Sequence, residues 1–142
     1  MAYNNAEEPE TDMFARIKAH VKGWAVISSA DQLDFKRLSG LSNACYKVVP
    51  KDAELAALVV PSALLYRKKV SDVVDKKQEA IVFEVMSSQG LGPTCFYQND
   101  DFRIESFFEG RPLSIWELRS PVILRKLMRA LVSLHFNKEA ID

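Results

Sequence analysis

The sequence predicts an α+β fold, in which an antiparallel sheet of about five strands has one helix packed on it and a further helix at each end of the chain. Helical and strand-like patterns follow each other in the order helix, three strands, helix, two strands, helix. The connections within each group of strands are too short for parallel crossovers. The 142 residues are 48% apolar, which is enough for one domain with a buried core.

Three segments have the periodicity of amphipathic helices. The first covers about residues 11–22, and Gly23 is expected to end it as a C′ glycine. The second covers residues 76–89 and the third about residues 121–135. The apolar stripe of the second helix is Ile81, Val82, Val85 and Met86, and the expected buried stripe of the third is Leu124, Leu127, Met128 and Leu131.

Five segments have the character of strands, namely residues 33–38, 45–49, 63–69, 94–98 and 102–107. The acidic residues Asp100 and Asp101 lie between the last two, where a hairpin turn explains them better than a metal site. Residues 52–60, rich in Ala and Leu, fit either a short helix or a hairpin arm, and the sequence does not decide between them.

Composition excludes several classes of partner. Because 19 basic residues balance 19 acidic ones, we expect neither nucleic acid nor an anionic membrane as a partner. No apolar run approaches the roughly 20 residues of a membrane span. Residues 1–10 lack the features of a secretory signal and are expected to form a disordered acidic tail. Cys45 and Cys95 are interpreted as two buried thiols in a reducing compartment, with the cytoplasm as the expected location.

Two short segments carry residue types that suit an anion. Residues 39–43 join two strands, and Gly40 would let backbone N–H groups approach phosphate, although spacing alone favours an ordinary hairpin turn. Arg67 lies near the end of the third strand, and its planar guanidinium suits phosphate oxygens. Lys68 and Lys69 are interpreted as a solvated strand end, and strand alternation places only Lys69 on the face of Arg67.

Five motifs occur in order on these elements. They are Leu38-Ser39-Gly40-Leu41-Ser42-Asn43, Leu64-Leu65-Tyr66-Arg67, Glu79-Ala80-Ile81-Val82-Phe83, Gly90-Leu91-Gly92-Pro93 and Arg103-Ile104-Glu105-Ser106-Phe107-Phe108-Glu109-Gly110-Arg111-Pro112-Leu113. Together they resemble the choline/ethanolamine kinase family, in its phosphate loop, third strand, middle helix, following turn and hinge respectively. Each motif alone is weak, but the ordered set covers nearly all of the chain after the tail.

The resemblance implies that residues 11–142 form the N-terminal, nucleotide-binding lobe of a protein-kinase-like fold. The implied ATP phosphate-binding residues are Ser39, Gly40, Leu41, Ser42, Asn43 and Arg67. Glu79 would support Arg67 by an ion pair, as a helix Glu does in kinase folds. The implied adenine hinge is Glu105, Ser106, Phe107 and Phe108, with one of the two Phe side chains expected to pack in the core. Ser39 stands where the family usually has Gly, which puts nucleotide affinity in question.

The implied activity is the transfer of the γ-phosphoryl group of ATP to the hydroxyl of choline or ethanolamine, with Mg²⁺, in phospholipid biosynthesis. The His-x-Asp-x-x-x-x-Asn and Asp-[Phe/Tyr]-Glu motifs that supply the family's catalytic groups and metal ligands do not occur in these 142 residues. We therefore predict no catalytic residue and no metal ligand here, and an inactive isolated chain. The same absence leaves choline and ethanolamine undistinguished.

Two other functions fit the same residues. One is a stand-alone, non-catalytic module that binds nucleotide or dimerises, with a second copy of the chain as the candidate partner. The other is a relative in the aminoglycoside-phosphotransferase-like group with a different substrate.

Overall fold

The structure is a computed structural model that describes residues 8–39, 43–69 and 75–137. Its centre is a five-stranded sheet in the order β1-β2-β3-β5-β4, and every neighbouring pair of strands is antiparallel. The strands are β1 Leu33–Leu38, β2 Asn43–Pro50, β3 Leu64–Lys69, β4 Cys95–Gln98 and β5 Phe102–Ser106. The predicted antiparallel α+β fold is confirmed.

The strand bounds differ from the predicted ones by two residues or fewer. The largest difference is in β2, which begins at Asn43 because Asn43 and Ala44 pair with Lys69 and Lys68 of β3. The last two strands form the predicted hairpin, and β5 is the one that lies beside β3. The residues of β5 are therefore in the middle of the sheet rather than at its edge.

Within the described residues, four α-helices accompany the sheet, namely α1 Glu10–His20, α2 Ala53–Leu58, α3 Lys76–Ser88 and α4 Pro121–His135. The ambiguous segment 52–60 is thus helical over six residues, and the Asp52 carboxylate caps it by accepting a hydrogen bond from the N–H of Glu54 at 2.7 Å. Asp75 caps α3 in the same way. After α3 the chain turns at Gly90, whose φ of +69° favours glycine.

The core lies between α1 and one face of the sheet. Met13 and Ile17 of α1 are almost fully buried, as is Trp24 in the segment that follows. The sheet contributes Leu33, Val48, Leu64, Tyr66 and Ile104, each at most 1% exposed. Because side chains alternate along a strand, the strand residues between these buried ones point to the other face of the sheet, away from α1.

Gly23 does not end α1, so that prediction is wrong. The helix ends at His20, and Gly23 lies inside a 3₁₀ turn, Lys22–Trp24. A Cβ built on Gly23 would lie 2.1 Å from the carbonyl oxygen of Val60. Glycine is therefore required here because two backbone segments approach each other closely, and not because a helix stops.

The predicted buried stripe of α4 is also wrong. Leu124 and Met128 are 44% and 46% exposed, while Leu127 and Leu131 are half-buried. Neither α3 nor α4 has a buried residue. The helical period identified the apolar face of α4, but no element within the described ranges covers that face.

The described chain begins with a buried carboxylate. Residues 1–7 of the predicted tail lie outside the described residues, so for them the tail stays a prediction. Glu8 is 6% exposed, forms an ion pair with Arg16 and accepts a hydrogen bond from the Tyr66 hydroxyl at 3.0 Å. In the ranges given above, no helix combines the length and apolar character needed to cross a membrane.

Candidate functional site

The face of the sheet opposite α1 carries a cluster of charged side chains from three elements. Arg67 and Lys69 come from β3, Arg103 and Glu105 from β5, and Glu79 from α3. We call these five residues the charged cluster. Arg67 and Arg103 are paired in register, so two guanidinium groups lie on neighbouring strands. Three cations face two carboxylates, which leaves the cluster with a net charge of +1.

Glu105 lies between the two arginines and uses both of its carboxylate oxygens. Its Oε1 accepts a hydrogen bond from Arg67 Nη2 at 2.9 Å, and its Oε2 accepts one from Arg103 Nε at 2.7 Å. Glu105 is only 1% exposed, and a carboxylate so buried is stable as an anion only when it is paired. The pairing explains how two neighbouring cations are tolerated inside the sheet.

Arg67 is a permanent cation at this site. Burial by itself lowers the pKa of Arg67, but the charge of Glu105 and its hydrogen bond outweigh burial and raise the pKa above its ordinary value. The side chain is still 26% exposed, and Glu105 accepts only one hydrogen bond from it. An arginine anchored at one corner keeps further donors with which it can pair with a phosphate group.

Glu79 pairs with Arg103 and not with Arg67. Arg103 Nη1 donates to Glu79 Oε1 at 2.8 Å, and the Arg103 guanidinium carbon lies 3.6 Å from the centroid of the Phe83 ring. The expected direct ion pair between Glu79 and Arg67 is not formed. Helix α3 packs against β4, and β5 lies between β4 and β3, so Arg103 of β5 is nearer to Glu79 than Arg67 of β3 is. Glu79 and Arg67 are connected through Arg103 and Glu105 instead.

Lys69 is not the solvated strand end that the sequence suggested. Its side chain is 6% exposed, and Nζ lies 3.9 Å from Glu79 Oε2. Lys68 points to the other face, as alternation predicted, where its Nζ lies 3.8 Å from Glu8 Oε2. The net positive charge of the cluster therefore comes from buried or half-buried groups, which solvent screens weakly.

The predicted phosphate loop is described only at its ends. Ser39 follows β1 and is exposed, and Asn43 begins β2 opposite Lys69. Gly40, Leu41 and Ser42 lie outside the described residues, so their role stays a prediction. Strand β1 ends at Leu38 in the same row of the sheet as Arg67, because Leu38 pairs with Cys45 and Cys45 pairs with Arg67. Strand β2 begins two rows beyond Arg67, at Asn43.

In the predicted adenine hinge, two backbone N–H groups already donate hydrogen bonds within the protein. The Ser106 N–H donates to the carbonyl of Thr94 at 2.9 Å, and the Phe107 N–H donates to the carbonyl of Ala63 at 3.1 Å. These two N–H groups are therefore already used within the protein, and the adenine-binding role of the segment stays a prediction. Phe107 is half-buried, whereas Phe108 is 65% exposed and is the free aromatic surface of the pair.

Lys47 is a functional candidate that sequence reasoning missed. It extends from β2 towards the hinge, where its Nζ lies 4.5 Å from the centroid of the Phe107 ring and pairs with the Glu109 carboxylate. Lys47 lies two residues from Cys45 in β2, so strand alternation puts the two side chains on the same face. Its link to residue 109 depends on how β2, β3 and β5 align, and the sequence does not give that alignment.

The two thiols and the carboxylates of this face are unsuited to metal binding. Cys45 is buried and Cys95 is half-buried. Burial raises the pKa of both thiols, and a nearby arginine (Arg67 for Cys45, Arg103 for Cys95) only partly offsets it. Among residues 8–39, 43–69 and 75–137, no group of three or more His, Cys, Asp or Glu could hold a metal ion. The described part of the chain therefore does not fit a Mg²⁺ site.

Comparison with known proteins decides the family. The family model described as choline/ethanolamine kinase matches residues 35–138, which is most of the chain. This chain belongs to the choline/ethanolamine kinase family. The resemblance carried by the five motifs is thereby confirmed, and the charged cluster lies within the part of the chain that matches the choline/ethanolamine kinases.

Individual proteins named as choline or ethanolamine kinases also match this chain. The chain is 26% identical over 110 residues to a probable ethanolamine kinase A of Dictyostelium discoideum, covering 76% of this chain and 32% of that protein. It is 32% identical over 71 residues to a probable choline kinase 2 of Arabidopsis thaliana, covering 50% of this chain and 20% of that one. A crystal structure of choline kinase from Cryptosporidium parvum superposes with a TM-score of 0.76 at 21% identity, covering 89% of this chain and 35% of that chain. The chain thus spans about a third or less of these relatives, and the last comparison concerns the fold alone.

Proposed function

We propose that this chain is the ATP-binding lobe of a choline/ethanolamine kinase, which transfers the γ-phosphoryl group of ATP to the hydroxyl of an amino alcohol in phospholipid biosynthesis. In this role Arg67 contacts the phosphates, and the loop of residues 39–43 with Gly40 offers backbone N–H groups to them. The hinge segment from Glu105 to Phe108 receives the adenine. Ser39, Leu41, Ser42 and Asn43 complete the phosphate loop.

The observation that carries this proposal is the anchored and partly exposed guanidinium of Arg67 in a cluster of net charge +1. Most of the catalysis in phosphoryl transfer is the positioning and neutralisation of phosphate charge. A fixed guanidinium supplies both, because it does not have to be ordered when the nucleotide binds. In the resemblance described above, Arg67 falls at the position of the family's nucleotide-contacting arginine on the third strand.

The base that accepts the hydroxyl proton and the Mg²⁺ ligands belong to the part of the enzyme that this chain does not contain. Both carboxylates of the charged cluster are committed to arginines, so neither is available as a base. The oxygen of the amino alcohol forms a bond to the γ-phosphorus as the bond to ADP breaks, and the proton passes to that external base. We further propose a cytoplasmic location and a homodimer as the assembled form.

Binding and turnover measured separately test the proposal. ATP with Mg²⁺ should bind to the 142-residue chain, and Arg67→Met should weaken that binding. Phosphorylation of choline and ethanolamine should be undetectable for the chain alone and should appear when it is joined to the catalytic lobe of a relative. Glu84→Gln, an exposed change on α3 outside the charged cluster, serves as the control.

Each result has a distinct meaning. A chain that binds ATP but stays inactive after joining is the non-catalytic nucleotide-binding module named above. A chain that binds no nucleotide contradicts the proposed role of Arg67. Turnover by the chain alone would show that the catalytic groups were assigned to the wrong lobe.

A further inference from the structure

The charged cluster contains two residues, Arg103 and Glu105, whose side chains are buried and which the proposed chemistry does not use directly. They are 3% and 1% exposed, so neither is a solvated charge on the protein surface. Burying such groups is unfavourable unless their partners are well placed. Their position between α3 and Arg67 therefore needs an explanation beyond sheet stability.

Arg103 is held from three sides. Its Nε donates to Glu105 at 2.7 Å, its Nη1 donates to Glu79 at 2.8 Å, and the Phe83 ring lies 3.6 Å from its guanidinium carbon. Because the guanidinium is planar, these contacts fix its orientation as well as its place. Two of them, to Glu79 and Phe83, come from α3.

Glu105 passes this constraint on to Arg67. One carboxylate oxygen accepts a hydrogen bond from Arg103, and the other accepts one from Arg67 Nη2 at 2.9 Å. The orientation of the carboxylate therefore couples the positions of the two guanidinium groups. In the described part of the chain, no ion pair joins Glu79 to Arg67 directly. A change in the position of α3 can therefore reach Arg67 along a defined set of hydrogen bonds.

We propose that Glu79, Arg103 and Glu105 form a relay through which α3 orients Arg67 towards the nucleotide phosphates. This inference rests on the proposed function, because Arg67 is taken there as the phosphate contact. In the relay, Arg103 and Glu105 are positioning residues that act through Arg67. Glu79 is the entry point, since it is 38% exposed and belongs to the helix.

Glu79→Gln is the sharpest variant for this relay. It preserves size and can still accept a hydrogen bond, but it removes the charge that holds Arg103. Because Glu79 is half-exposed, the variant should fold. Glu84→Gln is the matched control, since it makes the same change on the same helix outside the cluster. Arg103→Lys is a second probe, because one ammonium group cannot reproduce the two-sided guanidinium contacts.

Titrations of the full 142-residue chain should compare ATP·Mg²⁺ with adenosine. Adenosine has no phosphates, so it reports on the hinge without Arg67. Glu79→Gln and Arg103→Lys should each weaken ATP binding about fivefold or more, in the range typical of coupled sites, and leave adenosine binding unchanged. In an Arg67→Met background, Glu79→Gln should have no further effect on ATP binding.

Several outcomes overturn the relay while leaving the proposed function intact. One is ATP binding by Glu79→Gln that equals that of the wild-type chain. Another is an equal loss of ATP and adenosine binding, which would indicate a merely structural role. A third is a Glu79→Gln effect that persists in the Arg67→Met background. If the wild-type chain binds no ATP, the proposed function fails and the relay fails with it.

Discussion

Replacing Gly23 by alanine should test the close approach of the backbone at Gly23 to the backbone at Val60. A Cβ at this position would lie 2.1 Å from the Val60 carbonyl oxygen and 3.2 Å from the Val60 carbonyl carbon. Because both neighbours are backbone atoms, no side-chain rotation relieves the clash, and the two segments must separate. Next to the contact, Trp24 Nε1 donates to the Pro61 carbonyl at 2.9 Å, and this hydrogen bond should lengthen or break.

The magnitude follows from these two effects. Overpacking of a close contact costs about 1–3 kcal/mol. Loss of one hydrogen bond adds about 1 kcal/mol. We therefore expect Gly23→Ala to lower the free energy of unfolding by roughly 2–4 kcal/mol, a large fraction of the stability of a small domain. Gly110→Ala is the matched control, because a Cβ there meets nothing within 4 Å. That control should be neutral or stabilising by up to about 1 kcal/mol.

Urea unfolding followed by tryptophan fluorescence measures the difference. Trp24 is 1% exposed and Trp116 is 72% exposed, so a Trp116→Phe background isolates the buried reporter. At a slope of about 1–2 kcal/mol per molar urea, the expected loss moves the midpoint by roughly 1–4 M. If Gly23→Ala unfolds at the same urea concentration as Gly110→Ala, the close approach to Val60 is not a constraint and the reasoning is refuted.

Three further predictions concern charge and the uncovered helix. Glu105→Gln should lower the free energy of unfolding by about 3–5 kcal/mol in urea titrations, because it leaves two neighbouring guanidinium groups without their shared carboxylate. The bidentate pair with Arg111 lowers the pKa of Glu117 from 4.5 to about 2, so its contribution to stability is present above pH 4.5 and is lost as the pH falls towards 2. An NMR titration of the Glu117 carboxyl should show this, and Arg111→Gln should return the pKa towards 4.5. The isolated chain should self-associate through α4 in sedimentation experiments, and Met128→Lys should reduce that association.

Each of these predictions has a control and a contrary result. Glu109→Gln removes an ion pair whose carboxylate is 74% exposed and should change stability by about 1 kcal/mol or less. If Glu105→Gln is equally mild, the buried pairing is not stabilising. An unshifted Glu117 in low salt contradicts the bidentate pair. Ala130→Lys adds the same charge at an exposed position of α4 outside the groove that Met128 lines, and it should leave the association unchanged. A wild-type chain that melts sharply as a monomer contradicts self-association.

The sequence predicted what depends on local pattern. The strand segments, the extent of α3 and α4 and the turn at Gly90 follow from alternation, helical period and glycine conformation, and the structure confirms them. The family was also readable, because ordered motifs on predicted elements are specific even when each is weak. The side on which Lys69 lies was predicted for the same reason.

What the sequence did not predict depends on contacts between distant segments. Glu79 was expected to pair with Arg67, but the position of β5 brings Arg103 between them. Gly23 was expected to end a helix, because sequence cannot reveal that Val60 passes 2.1 Å from its Cβ position. The face of α4 was expected to be buried, because periodicity shows which side of a helix is apolar and not what covers it.

The strand order has a consequence for synthesis on the ribosome. Strands β1 to β3 can pair as a meander once Lys69 has left the ribosomal exit tunnel, but Tyr66 then still lacks one of its flanking strands. That strand is β5, and α3 and β4 must both be translated before Ile104 can close the gap beside Tyr66. The nascent chain therefore keeps an unpaired, partly apolar strand edge during that interval, which is a stage at which chaperones bind and aggregation begins.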